Sequence, residues 1–431
     1  MDNKKNYVIP IIVMILLFGM ISFVTNLASP MGDILKNQFQ IPNWQGTLGV
    51  FANFIAYAVM GIPSGNLLQK KGYKKTALVA IIVGFVGVGI QTLSGVFSSF
   101  GVYLLGAFVA GFSMCLLNTV VNPMLNRLGG GGNKGNQLIQ IGGSFNSLCG
   151  TAVIIITGLL IPQGIKNAEI SNVFPLMYTA LGIFAFAFLV ILLTKIPENE
   201  QKQETVKQTV KGKGPMAFRH FVLGAIAIFI YVGVEVGVPN VLNKWLQNPD
   251  LNVLGSGVNS EAVAGSVAAT YWFLMLIGRL IGGVIGSKVS AKSMLTIVSI
   301  IGIILTLLAI FGPQTMVKFP AFNGAKGFGL ESIPLNAAFL VCIGLCTSVM
   351  WGGIFNLAVE GLGKYTEKAS GIFMTLVCGG GILPLLQNAI VDGMGGIGYL
   401  QSYWVIVVGL AFLLFYALIG SKNVNKDIPV E

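Results

Sequence analysis

Long apolar runs alternate with short polar breaks along the whole chain, and the runs have the length of a bilayer crossing. A helix needs about 20 apolar residues to span the hydrocarbon. Twelve segments meet that length, near 8–38, 46–67, 76–96, 101–124, 138–162, 173–194, 219–243, 262–286, 293–312, 335–358, 368–391 and 401–420. The first follows Lys4 and Lys5 but is too long for a signal peptide and has no clear small-residue cleavage site, so it is expected as an uncleaved span. The longest polar break, KIPENEQKQETVKQTVKGKGP from Lys195 to Pro215, follows the sixth span. The pattern predicts an all-α membrane protein in three parts: an N-terminal six-helix half over 1–194, a cytoplasmic linker over 195–217 and a C-terminal six-helix half over 218–431. The stretch from Gly312 to Leu335 is expected as an outer loop.

One span breaks its own pattern. Asn26, Ser29, Asp33 and Asn37 recur at steps of three or four along the first helix, with Pro30 among them, and so share one face. A carboxylate in a hydrophobic span costs roughly 2.5–3.5 kcal/mol on insertion scales. Asp33 is therefore expected to face a cavity or a partner, and the other helices to be arranged around that cavity.

Charge fixes the orientation. With the N-terminus placed in the cytoplasm, Lys36, Lys166, Lys244, Lys318 and Lys326 fall outside, and the other 21 of the 26 Lys and Arg residues fall inside. The positive-inside rule then supports both an even number of spans and cytoplasmic termini. The formal net charge of +11 is thus a topology signal, and no nucleic-acid partner is expected. Only 10% of residues are charged, against about 25% in soluble domains, which leaves too little polar surface for a large domain in water. The expected location is the inner (plasma) membrane, with the lipid bilayer as the surrounding partner and a monomer as the working unit. Cys115, Cys149, Cys342, Cys346 and Cys378 all lie in apolar runs and read as buried free thiols. His220, the one histidine, stands at a span start. No metal site, cofactor or catalytic set is expected, which argues against a membrane enzyme.

The halves repeat each other. Gly65–Gly84 reads GNLLQKKGYKKTALVAIIVG and Gly283–Gly302 reads GVIGSKVSAKSMLTIVSIIG, so that Gly65 meets Gly283, Lys70 meets Lys288 and Lys74 meets Lys292. GSFNSLCG from Gly143 echoes GIFMTLVCG from Gly371. Pseudo-symmetric halves with a site near the midplane are a transporter architecture.

The loop after the second span resembles the signature of the major facilitator superfamily: Gly65, Gly72, Lys74 and Lys75 match, while Gln69 stands where that family has Asp. Within it the chain resembles the sugar:proton symporters typified by the L-fucose permease and the bacterial glucose/galactose transporters. The resemblance is carried by Asp33-Ile34-Leu35, Asn118-Thr119-Val120-Val121-Asn122-Pro123, Ser144-Phe145-Asn146-Ser147, Tyr231-Val232-Gly233-Val234-Glu235, Gly278-Arg279, and Gly379-Gly380-Gly381-Ile382 with Pro384. It implies the twelve-helix major facilitator fold, alternating access by rocking halves, and proton coupling at Asp33, helped by Glu235. Asn118 stands where the fucose permease has Glu and cannot titrate, so more of the coupling falls to Asp33. Gly143 replaces a Gln, so fucose specificity need not carry over. Arg279 is expected with Gly65, Gly72, Lys74 and Lys75 at a cytoplasmic gate.

A sugar is neutral and rich in hydroxyls, so its site needs groups that both donate and accept, and amides suit it. Asn26, Asn118, Asn122, Asn146 and Asn356 are the candidates, with Tyr231 and Trp351 as aromatic faces for the ring. The competing reading of each is a helix–helix hydrogen bond or an interfacial anchor. The expected function is proton-coupled import of a monosaccharide, a hexose or deoxyhexose. The alternatives are a facilitative uniporter, a sodium-coupled carrier, a nutrient sensor that transports nothing, and a drug exporter.

Overall fold

Backbone N–H and C=O groups find no partners in hydrocarbon, so a spanning chain must satisfy them within itself, as a helix does. The computed structural model describes residues 7–39, 48–160, 169–198, 214–324, 327–425, 428 and 430, and the side chains of 28–30, 32–33, 35–37, 154–155 and 157–160 lie outside that description. The helices are α1 (Val8–Gln38), α2 (Leu48–Val96), α3 (Phe100–Leu128), α4 (Gly132–Leu160), α5 (Phe174–Leu193), α6 (Arg219–Gln247), α7 (Ser260–Ile285), α8 (Ala291–Phe311), α9 (Leu335–Thr347), α10 (Met350–Val359), α11 (Thr366–Thr375), α12 (Gly379–Met394) and α13 (Trp404–Phe415).

Among the described residues nine helical stretches are long and apolar enough to cross a membrane. One of them, α2, holds two expected spans, because Gly72 breaks it with φ 78° and ψ 176°. With α4 and the shorter stretch Trp404–Gly420 added, the helices are consistent with twelve crossings. The expected loop between spans two and three is thus a one-residue kink, and it has to be glycine. A Cβ at 72 would run into the Glu198 carboxylate, and its positive φ is strained for any other residue.

Two further spans are interrupted. The tenth bends between Thr347 and Met350, separating α9 from α10. The eleventh consists of α11 and α12, joined by a 3₁₀ turn at Leu376–Cys378 that leads into Gly379-Gly380-Gly381.

The segment expected as an outer loop folds instead as an antiparallel hairpin, β1 (Met316–Phe322) with β2 (Phe328–Pro334), in which Met316 faces Pro334 and Phe322 faces Phe328. The local cause is alternation: Val317, Phe319 and Ala321 turn inward while Met316, Lys318, Pro320 and Phe322 stay exposed. Asn323 ties the turn down, donating to Glu331 at 2.8 Å and accepting from the Asn259 N–H at 3.1 Å.

The chain forms two compact units. The first comprises 1–222, 359–378 and 423–431, and the second 223–358 and 379–422. The first unit therefore takes in α11 as well as the first six expected spans. Its seams are built on small residues, as close packing in lipid requires. A Cβ on Gly87 would sit 2.5 Å from the Ala110 nitrogen, and the Ser113 hydroxyl donates to the Ala80 carbonyl at 2.6 Å, which joins α2 to α3. Against α11 the approach is closer still. A Cβ on Gly371 would lie 2.5 Å from both the Gly61 carbonyl and the Gly65 Cα, and Ser370 donates to the Thr119 carbonyl at 3.1 Å.

The second unit uses the same devices. Gly344 of α9 packs on the Tyr271 carbonyl of α7, and Gly379 of α12 on the Phe229 carbonyl of α6. Asn388 donates to Asn240 at 3.3 Å and accepts from Lys244 at 2.8 Å. The fully buried Tyr403 donates to the Val238 carbonyl at 2.9 Å.

Overpacking a tight interior costs roughly 1–3 kcal/mol. Gly371→Val should therefore destabilise the first unit on that scale, whereas the same substitution at Gly89, whose surroundings are open, should change little. Thermal denaturation of the two variants in detergent checks this.

Candidate functional site

Each compact unit holds a polar cluster in its apolar interior. In the first, Asn118 and Asn122 lie one turn apart on α3 and are bonded together: the Asn122 amide donates to the Asn118 carbonyl at 2.8 Å and to its Oδ1 at 3.3 Å. The Asn118 amide donates to the Tyr57 hydroxyl at 2.7 Å and to the Met114 carbonyl at 3.1 Å. Beside them the hydroxyls of Ser64 and Thr119 meet at 2.7 Å, tying α2 to α3. Asn26 turns back on its own helix, donating to the Ser22 carbonyl and hydroxyl at 2.9 Å each. Asn146 donates to the Phe18 carbonyl at 2.7 Å and so links α4 to α1. The side-chain oxygens of Asn146 and Asn26 are acceptors of the kind a hydroxylated ligand can meet, whereas that of Asn118 already accepts from Asn122. Asp33 lies on the helical backbone of α1, and its side chain is outside the described residues.

At the end of this unit that carries the basic loop, the Glu198 carboxylate caps the kink. It accepts from the Tyr73 and Lys74 N–H groups at 2.8 Å each, one residue and two residues past Gly72. The Lys74 ammonium donates to the Leu192 and Thr194 carbonyls at 2.8 and 2.9 Å, at the C-terminus of α5, where a cation is favoured. Arg127 donates to the Glu198 carbonyl at 3.3 Å, and the Tyr73 hydroxyl reaches Glu367 of α11 at 3.5 Å. Lys75 and Gln69 are exposed. The carboxylate bonded to this turn thus comes from Glu198, which the sequence pattern placed in the linker.

The second unit holds a buried ion pair. Arg279 of α7 donates to Glu235 of α6 at 3.2 Å, with 10% and 13% of the two side chains exposed. Its Nε donates to the Ser348 carbonyl at 3.4 Å. This geometry depends on Gly278: a Cβ there would collide with the Ser348 side chain, so glycine lets α7 approach the bend after α9. Arg279, expected at the cytoplasmic gate, is therefore the partner of the candidate coupling carboxylate. Tyr231, one turn before Glu235, meets Trp351 with ring centroids 6.3 Å apart at 63°. Tyr271 and Thr347 share a hydroxyl hydrogen bond at 2.9 Å. Asn356 is buried on α10.

The structure brings together Asn118 with Asn122, Tyr231 with Trp351, and Glu235 with Arg279. Tyr57 and Ser348 join these groups, and Glu198 and Glu367 the basic loop, without having been singled out from the sequence. Among the described residues, no three His, Cys, Asp or Glu side chains group in a way that could hold a metal ion.

Comparison with known proteins agrees with this architecture. The family model described as Major Facilitator Superfamily matches residues 11–385. The chain is 30% identical over 427 residues to the glucose/galactose transporter of Brucella abortus biovar 1 (strain 9-941), covering 98% of this chain and 96% of that one. It is 23% identical over 424 residues to the L-fucose-proton symporter of Escherichia coli (strain K12), covering 92% and 90% respectively. Among solved structures, the transporter FucP in the outward conformation superposes with a TM-score of 0.81 at 20% identity, over 97% of this chain and 100% of that one.

Removing one partner of a buried ion pair leaves an uncompensated charge and costs about 3–5 kcal/mol, whereas removing both is far cheaper. Arg279→Gln should thus destabilise the protein strongly, and Glu235→Gln added to it should restore much of the loss. A double-mutant cycle read by thermal denaturation measures the coupling between the two.

Proposed function

The chain belongs to the major facilitator superfamily and is a membrane transporter, and on that premise we propose that it imports a monosaccharide by proton symport through alternating access. The observation that carries the proposal is the Glu235–Arg279 pair beside the Tyr231–Trp351 rings. A carboxylate held in an apolar bundle by one cation can exist in two states, paired and charged or protonated and neutral. A proton arriving from outside neutralises Glu235 and frees the guanidinium for a sugar hydroxyl, while the rings cover the apolar side of the sugar. Asp33 supplies the second carboxyl on the polar face of α1. The ion changes the relative free energies of the outward and inward states, which is what coupling requires.

The relatives named for glucose/galactose transport and for L-fucose–proton symport support a hexose or deoxyhexose as cargo. In this reading Asn26, Asn118, Asn122 and Asn146 offer polar groups within the first unit and Asn356 within the second, with Gly65, Gly72, Lys74 and Lys75 at the cytoplasmic gate. The excess of cytoplasmic Lys and Arg supports an inner-membrane location with both termini inside.

In proteoliposomes, uptake of the transported sugar should rise as the outside is made more acid than the lumen, and should collapse with a protonophore. Asp33→Asn and Glu235→Gln should each abolish accumulation against a gradient, while counterflow exchange per folded molecule persists; Glu235→Gln should also lower stability, because it leaves Arg279 without its partner. Full accumulation by both variants would remove these carboxylates from the coupling. Flux that follows sodium rather than pH would make the protein a sodium-coupled carrier.

A further inference from the structure

The first unit contains a cavity that none of the polar chemistry above uses. It has a volume of about 210 Å³ and lies between α1, α4 and α5, walled by Leu16, Met20, Phe145, Phe186, Ala187 and their apolar neighbours. It is larger than the ~150 Å³ engineered apolar cavity that stays dry and takes up benzene. A wall with almost no polar surface cannot hold a sugar, which would leave its hydroxyls without partners.

Three features identify an occupant. The first is access. Leu16 is 46% exposed and Phe186 is 66% exposed, so the cavity opens sideways from the bundle onto the surface that faces lipid. The second is depth. The α1 wall runs from Val13 to Phe23, about 15 Å at the helical rise, or half of the ~30 Å hydrocarbon core. On α5 it ends at Ile191, three residues before the helix C-cap at Thr194. The third is charge. Lys195 stands exposed just past that end of α5, four residues beyond Ile191, and offers a cation to an anionic headgroup. Gly19 shapes the floor, because a Cβ there would come within 2.5–2.8 Å of Phe145 and Cys149.

We propose that this cavity is a binding site for one acyl chain of an anionic phospholipid of the cytoplasmic leaflet, with Lys195 at its headgroup. The site follows from the geometry of α1, α4 and α5 alone. Its assignment to the cytoplasmic leaflet rests on the orientation given above.

The test uses the full-length protein in vesicles of phosphatidylcholine doped with phosphatidylglycerol that carries a photoactivatable diazirine on its acyl chain. After irradiation and digestion, label should concentrate on the peptides containing 13–23 and 183–191. Ala187→Phe, which fills the cavity, should lose most of that label, whereas Leu189→Phe, on an exposed position outside the wall, should keep it. Lys195→Gln should reduce labelling by the phosphatidylglycerol probe more than by a phosphatidylcholine probe of the same chain. If Ala187→Phe fails to fold, Val190→Trp fills the same wall from the next turn. Label spread evenly over all the lipid-facing helices, or unchanged in the filled variants, overturns the site. Equal labelling by both probes with Lys195 intact overturns its headgroup half. Sugar counterflow of the unmodified protein, measured in parallel, reports on the transport reading independently.

Discussion

Helices in lipid gain nothing by hiding apolar faces from one another, because the surrounding chains are as apolar as leucine. What holds this molecule together is therefore close approach and directed bonding. The first unit shows both at once where α11 meets α2 and α3: Gly61, Gly65 and Gly371 let backbones touch, and Ser370 donates to the Thr119 carbonyl beside them. In the second unit Gly278, Gly344 and Gly379 each remove a side chain that would strike a neighbouring helix. At these contacts glycine is a packing requirement, whereas at Gly89, whose surroundings are open, it is not.

The same environment dictates how polar groups are used. Most of the amides offered by the sequence spend their donors on backbone or on each other, as Asn122 does on Asn118 and Asn146 on Phe18. That leaves acceptors, and acceptors are what a neutral polyol can meet with its own hydroxyl protons. The Glu235–Arg279 pair follows a stricter rule: either ion is costly in such a place without the other or a new partner. A group that can lose its partner to a proton is thereby tied to the protonation state of its surroundings, and the protein needs no separate sensor to link charge to conformation.

Much of this was legible in the sequence. Apolar run length gave the spans, because it reports on single segments against a uniform solvent. The family resemblance pointed to Glu235 as a helper in coupling and to Arg279 at a cytoplasmic gate, but not to their pairing. They are 44 residues apart on different helices, and the contact depends on Gly278 admitting α7 to the Ser348 bend. Glu198 was hidden by its company, one acid in a run of linker charges, and its role follows from the position of the Gly72 kink against the end of α5. The hairpin at 316–334 reads as loop in the sequence because Gly324, Gly327 and Gly329 crowd its turn and the start of its second strand. The cavity beside Gly19 leaves no sequence signal, since an absent volume has no residue to mark it.

The meeting of Gly61 and Gly65 with Gly371 has a consequence for how this part of the molecule can move. Such a contact has no long-range component: a gap of 0.5–1 Å already forfeits a quarter to a half of the dispersion attraction. The seam is consequently either engaged or released, with little stability in between. A side chain in its place would slide and keep partial contact over several ångströms, and the motion would be graded. Bare backbone on bare backbone makes α11 a snap fastener, and the glycines there set the abruptness of the transition as much as its strength.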